Sequence, residues 1–275
     1  MNVGTIFVLT RGGFGNVLFN YLIGYSLGKK YSMNVKYVQG DPNRTDRPVM
    51  KLYQIFNKLN LSMCEDYNRH NAIIIGEPAF TYQDIKITHP YINHILDGYF
   101  QSYKYSLDFI NPIKTEILAL MSSPKLVDMI SNYRHGNKKL IMIHVRRGDY
   151  LNHPDYHPVP PSQYYQTAIS TIIGTDHNLY KLIVFSDDIP YIKNWHLPKQ
   201  YDHEIIELSN VEEVFFLMTM MDHYVIANSS LSLLAYYFRQ NQDASLFMPR
   251  HWFGPRGPRF KHDDLVEMTN NVHVL

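Results

Sequence analysis

The segment "IMIHVRRGDY" (141–150) decides how the rest of the chain is read. An apolar, β-branched run ends abruptly in His144, followed by two arginines, a glycine and Asp149. The run, 140–145, has the length and composition of a buried strand. In an open parallel sheet the loops at the carboxyl ends of strands carry ligands. Arginine offers a planar, permanently charged fork of donors that suits phosphate oxygens. On extended backbone the neighbouring side chains of Arg146 and Arg147 point in different directions. One is therefore expected to face a ligand and the other to tie the loop down through a carboxylate. The bland reading, two surface ion pairs, contributes little to stability.

Working outward, a β/α alternation appears on both sides of this segment. Downstream, a helix is expected at 162–173, a strand at 180–186, a helix near 189–195 and a short strand near 204–207. A helix at 211–221 follows, with Val211, Val214, Phe215, Met218 and Met221 on one face. Then come a strand at 223–228, a helix at 230–239 and a strand at 244–248. Upstream, "GTIFVLT" (4–10) reads as a buried strand and "RGGFGN" (11–16) as a glycine-rich turn. Val17, Leu18, Tyr21, Leu22 and Tyr25 then give one apolar helix face, and 33–38 a second strand. A polar loop is expected at 39–48, strands at 72–75 and within 91–100, and two short helices in 112–133 split at Pro124. The small, basic stretch "RHGNKK" (134–139) reads as a linker. The expectation is an α/β protein of two Rossmann-like, doubly wound domains, 1–136 and 137–275, facing a cleft.

Composition sets the bounds. The chain has 275 residues, of which 45% are hydrophobic and 19% charged, a globular balance with a sizeable core. A net charge of +1 argues against general nucleic-acid binding, so any polyanion site is local. The single cysteine, Cys64, allows no intrachain disulfide and favours a reducing compartment. No apolar run approaches the roughly 20 residues that span a bilayer. A cytoplasmic protein is expected, and peripheral attachment to a membrane stays open.

Three further strand ends carry polar groups. In "VIANSSLSLLAYYF" (225–238), Asn228, Ser229 and Ser230 stand between a strand and an apolar helix. One of the serines caps that helix, and helix starts bind anions through free N–H groups and the macrodipole. In "FSDD" (185–188), Asp187 or Asp188 either accepts bonds from a nucleobase or ribose or caps the next helix. In "RGGFGN", Gly12 and Gly13 let backbone N–H groups approach a ligand closely. Walker-loop spacing is missing there.

Taken together, "GGFGNVLFNY" (12–21), "HVRRGD" (144–149), "FSDD" (185–188), "NSSLS" (228–232) and "PRHWF" (249–253) occur in order over most of the chain. In this ordered set the chain resembles the galactoside α-1,2-fucosyltransferases, glycosyltransferase family 11, in their soluble microbial form. The resemblance implies a GT-B-type fold and inverting transfer of L-fucose from GDP-fucose to a hydroxyl, that of a terminal galactoside 2-OH first, on an oligosaccharide or glycolipid acceptor. It implies no cofactor, no essential metal and no metal ligands. By the same resemblance Arg146 holds the β-phosphate, Arg147 organises the loop, and His144 with one of Asp187 and Asp188 lies near the guanosine. Ser229 and Ser230 meet the phosphates, Asn228 belongs to the substrate-binding set, and Asn16 with Gly12 and Gly13 closes over the sugar.

The chemistry agrees with that assignment. Breaking a sugar–phosphate bond puts negative charge on the leaving nucleotide, and fixed donors aimed at it lower the barrier. Asp149 is the one carboxylate inside the signature. It is read either as the base for the attacking hydroxyl or as a partner orienting an arginine, with Asp155 and His153 as rival bases. Val17, Asn20, Val214, Leu233 and Leu234 depart from the family pattern, which bears on base and acceptor recognition more than on phosphate binding. Competing readings are a GT-B transferase with another nucleotide sugar, a non-catalytic sugar-binding protein, and a metal-dependent transferase. The 14 histidines are scattered without ligand spacing, which argues against the last.

Overall fold

The computed structural model describes residues 3–38, 54–64, 67, 71–77, 79–196 and 198–275. The loop expected at 39–48 lies outside the described residues. The chain divides into two compact units, Met1–Leu120 with Arg259–Val266, and Met121–Pro258 with Glu267–Leu275.

The first unit runs β1 (Thr5–Leu9), α1 (Phe14–Tyr31), β2 (Asn34–Val38), α2 (Gln54–Lys58), β3 (Met63–Cys64), β4 (Ala72–Gly76), β5 (Asn93–Asp97) and α3 (Ile110–Met121). Its strands form a parallel sheet in the order β3-β2-β1-β5-β4. The chain therefore winds away from β1 on one side through β2 and β3, crosses to the opposite edge as β4, and returns beside β1 as β5. The strand order reverses at β1 and β5, next to the glycine loop and to Asp97. Helix α1 was expected to bury one face. It buries nearly all of its surface, including Asn20, because it packs against β1 and β2. Helices apolar on all sides belong inside. Gly12 has φ +79°, a backbone state that costs glycine nothing, and a Cβ there would strike Asn16.

The second unit runs α4 (Pro124–Tyr133), β6 (Lys139–Val145), α5 (Ser162–Ile173), β7 (Tyr180–Ser186), α6 (Ile189–Asn194), β8 (His203–Ile205), α7 (Val211–Thr219), β9 (His223–Val225), α8 (Ser230–Tyr237), β10 (Leu246–Met248) and β11 (Val272–Val274). Its parallel sheet has the order β11-β10-β9-β6-β7-β8. This is the doubly wound order, reversing between β6 and β9, and ligands bind at the carboxyl ends of strands at such a point. Ile141, Ile143, Val145, Leu182 and Val184 pack against Tyr165, Ile169 and Ile192 of α5 and α6 to make the core on one face. Ser123 caps α4 and Pro124 occupies its first turn, so the split in 112–133 falls where expected.

The division between units falls at residue 120, not at the expected linker 134–139. Arg134 reaches Asp222 at 2.7 Å and the Met220 carbonyl at 2.9 Å, and Lys138 reaches Asp202 at 2.5 Å. The basic residues that suggest a linker by composition are tied within the second unit. The short α9 (His262–Leu265) belongs to the first unit, and β11 was not anticipated. Strand β9 ends at Val225 rather than 228, because the chain turns out of the sheet before α8.

Candidate functional site

Strands β6 and β7 pair in register up to His144↔Phe185 and Val145↔Ser186. The next two residues on each strand are Arg146 and Arg147 facing Asp187 and Asp188. Arg146 Nη1 lies 3.0 Å from Asp187 Oδ2, and its Nη2 lies 2.6 Å from Asp149 Oδ1. Arg147 Nε lies 2.9 Å from Asp188 Oδ2, its guanidinium sits 3.6 Å above the Tyr191 ring, and its backbone N–H donates to Asp187 at 2.9 Å. The two arginines thus go separate ways, each with carboxylate partners. Asp188 also caps α6, accepting from Tyr191 N–H. The Arg147 bond foremost holds its carboxyl below the usual range, with the Tyr191 N–H helping and burial opposing.

Gly148 is the contact that permits this arrangement. A Cβ there would run into the Asp187 carboxylate. The chain then makes a 3-10 turn over Gly148–Asn152. Within it the Tyr150 hydroxyl donates to the Asn228 carbonyl at 2.9 Å, and the ring lies beneath Arg146. Asn228 is buried and donates to the carbonyls of Pro158 and Trp252 at 2.9 and 3.0 Å. The loop after β6 and the start of α8 are therefore fastened together through Tyr150 and Asn228. Ser229 occupies the cap position of α8, yet its side chain makes no cap bond. Its carbonyl accepts from Leu233, and Ser232 bonds back to it. Ser230 opens the helix.

His144 sits below this surface. The ring is 4% exposed, its Nδ1 has no hydrogen-bond partner, and burial, assisted by Arg146, lowers its pKa to about 3. It is neutral throughout the working range of an enzyme. His157 stacks on Tyr150 at 4.4 Å, and burial foremost lowers its pKa too.

In the first unit the glycine loop leads into α1, and Asn16 Oδ1 accepts from Gln101 Nε2 at 2.6 Å. Beside it, Arg11 pairs with Asp97, and Glu77 Oε2 accepts from the N–H groups of Tyr99 and Phe100 at 2.7 and 2.9 Å. Arg11, Glu77, Asp97 and Tyr150 were not singled out in the sequence. Glu77 and Asp97 each stand at a strand's carboxyl end, the signal that could have found them. Among the described residues no group of three or more His, Cys, Asp or Glu side chains could hold a metal ion.

Two parallel α/β units, the second with paired arginines and a helix start at its strand-order reversal, have the layout of enzymes that handle anionic nucleotides. The chain belongs to glycosyl transferase family 11, whose model matches residues 44–253. It is 26% identical to the O-antigen biosynthesis glycosyltransferase WbnK of Escherichia coli, over 88% of this chain and 93% of that protein. It is 25% identical to an Escherichia coli alpha-1,2-colitosyltransferase, over 88% and 90% of the two chains. Among solved structures the fold is similar to that of the fucosyltransferase NodZ from Bradyrhizobium, with a TM-score of 0.53 at 10% identity, covering 87% of this chain and 93% of that one. A second NodZ structure, an alpha-1,6-fucosyltransferase co-crystallized with GDP, matches equally.

Proposed function

We propose that this glycosyltransferase moves L-fucose from GDP-fucose to a hydroxyl of a glycan or glycolipid precursor, the 2-OH of a terminal galactoside first, with inversion and without an essential metal. The observation that carries the reading is the cluster of Arg146, Asp149 and Asp187 at the strand-order reversal of the second unit, tied through Tyr150 to the start of α8. A guanidinium has five N–H donors in a fixed fork, so the two carboxylates leave donors of Arg146 for a phosphate. In this reading Arg146, with Ser229 and Ser230 at the start of α8, receives the charge that develops on the departing nucleotide. Ser229 acts there through its hydroxyl, because its N–H is given to the Ala227 carbonyl at 2.8 Å. Asp149 orients Arg146, since its oxygen stands 2.6 Å from Nη2. Arg147, held by Asp188 and Tyr191, fixes the loop. His144 supports the loop from below as a neutral ring. The single cysteine fits a cytoplasmic setting, with peripheral contact at the inner membrane face.

A second reading, transfer of colitose, rests on the similarity to the alpha-1,2-colitosyltransferase. The test is calorimetric binding of GDP-fucose, GDP-colitose, GDP-mannose, UDP-galactose and GDP, with Mg²⁺ and with EDTA. GDP compounds are expected to bind in both conditions, with fucose preferred. Arg146→Ala is expected to weaken GDP about 10- to 100-fold, the contribution of one or two charge-assisted bonds. A uridine preference, a metal requirement or unchanged GDP affinity in the variant would overturn the assignment.

A further inference from the structure

We infer that the cavity formed by residues 152–157 and Arg256 seats the terminal sugar of the acceptor and selects an uncharged ring, an inference that rests on the glycosyl transfer proposed above. The cavity measures about 550 Å³, inside the roughly 300–1,000 Å³ of small-molecule sites. All of its lining belongs to the second unit. The backbone fastens its two sides together. The Gly254 N–H donates to the Tyr156 carbonyl and the Arg256 N–H to the Asp155 carbonyl, each at 3.0 Å. A Cβ on Gly254 would strike the Asp155 carbonyl, so the two loops pack main chain against main chain. Phe253 adds ring contacts, 5.8 Å from Tyr156 and 5.9 Å from His157.

The lining decides the class of ligand. Asp155 and Arg256 carry opposite charges, yet among the described residues neither side chain forms an ion pair or a hydrogen bond. A carboxylate only accepts and a guanidinium only donates. A hydroxyl does both, so a polyol satisfies the two together. An apolar ligand would strip water from both charges without replacing it. An anionic ligand would meet Asp155, and a cationic one Arg256. Asn152 and His153 add further donor and acceptor atoms. Tyr156, 39% exposed, offers a ring for the apolar face of a pyranose. The cavity also adjoins the Arg146 cluster. His157 in its lining stacks on Tyr150, whose ring lies beneath Arg146, and the charges of Asp149 and Arg146 both act on His157. The acceptor cavity and the proposed donor phosphate site thus lie side by side on one unit, separated by one stacked pair of rings.

The test uses the full chain and three acceptors that share a free 2-OH: methyl β-galactoside, methyl β-galacturonide and methyl 6-amino-6-deoxy-β-galactoside. The wild type is expected to prefer the neutral sugar about tenfold or more in kcat/KM over either charged one. Asp155→Asn is expected to shrink the discrimination against the carboxylate about tenfold, and Arg256→Gln that against the amine, because each removes one like charge. A role confined to folding would weaken transfer to all three acceptors alike and leave the ratios where they were. A ratio that stays within about twofold of wild type in either variant overturns the inference. So does a wild type that takes a charged sugar as readily as the neutral one, a comparison that stands even if a variant folds poorly. A wild-type chain that turns over GDP-fucose with none of the three overturns the transfer reading, and the inference with it.

Discussion

Arg146 and Arg147 are adjacent and alike in sequence, yet the structure gives them different work. Arg147 is bonded through Nε to Asp188, stacked on Tyr191 and tied by its backbone to Asp187, so its guanidinium is held against α6. Arg146 lies over a ring at the surface with two carboxylates on separate nitrogens. Asp188 reports on this arrangement through pH. Its carboxyl is held below the usual range by Arg147, so its contribution to stability is present above the unfolded-state pKa and is lost as pH falls through the folded one. Asp188→Asn is therefore expected to melt roughly 2–4 °C below wild type at pH 7. The gap should close as acid protonates Asp188 in the wild type. Melting curves over a pH series check this, and a gap constant with pH would remove Arg147 as the cause.

Two aligned strands do what neither does alone. Because β6 and β7 end in register, "HVRR" and "FSDD" are brought into contact as two arginine–aspartate pairs. The loop that follows depends on Gly148, whose missing side chain makes room for Asp187. Gly148→Ala is expected to push Asp187 away from Arg146 and, if the proposed donor is bound there, to weaken GDP about tenfold, with a smaller effect on melting. Calorimetry beside thermal denaturation reads the two effects separately. Helix α8 enters the same site by another route, since Asn228 anchors the turn before it to the carbonyls of Pro158 and Trp252. Its buried residues, Leu233, Leu234 and Ala235, hold the helix start in place.

For the whole molecule the notable feature is that a late segment, Arg259–Val266, belongs to the first unit. Asp264 on α9 is buried, and its Oδ1 lies 2.7 Å from Lys104 Nζ while its carbonyl accepts from Ser102. Phe260 pairs with Phe80 in an isolated bridge. A chain ending before residue 259 would lack all of these contacts. Asp264→Ala is expected to destabilise the protein by about 1.5–3 kcal/mol, the value of a charge-assisted bond in a part-buried setting. A double-mutant cycle with Lys104→Met isolates the pair. A coupling near zero would show that the segment is held by packing alone.

The β/α alternation was legible because apolar strands and glycine-rich turns are local signals, and so was the position of "HVRRGD", "FSDD" and "NSSLS" at strand ends. The expectation that "HVRRGD" and "NSSLS" meet a phosphate also came from residue type. The sequence did not reveal that 134–139 is part of the second unit, because its charges find Asp202 and Asp222 far along the chain. Nor did it show His144 as a buried, neutral ring, since strand residues of either environment read alike. Glu77 lies in a stretch without pattern, and only pairing of β4 with β5 sets it against the Tyr99–Phe100 turn. Local order is written in neighbouring residues. The partners of a charge, and the burial that moves its pKa, come from residues distant in sequence that meet only when the sheets form.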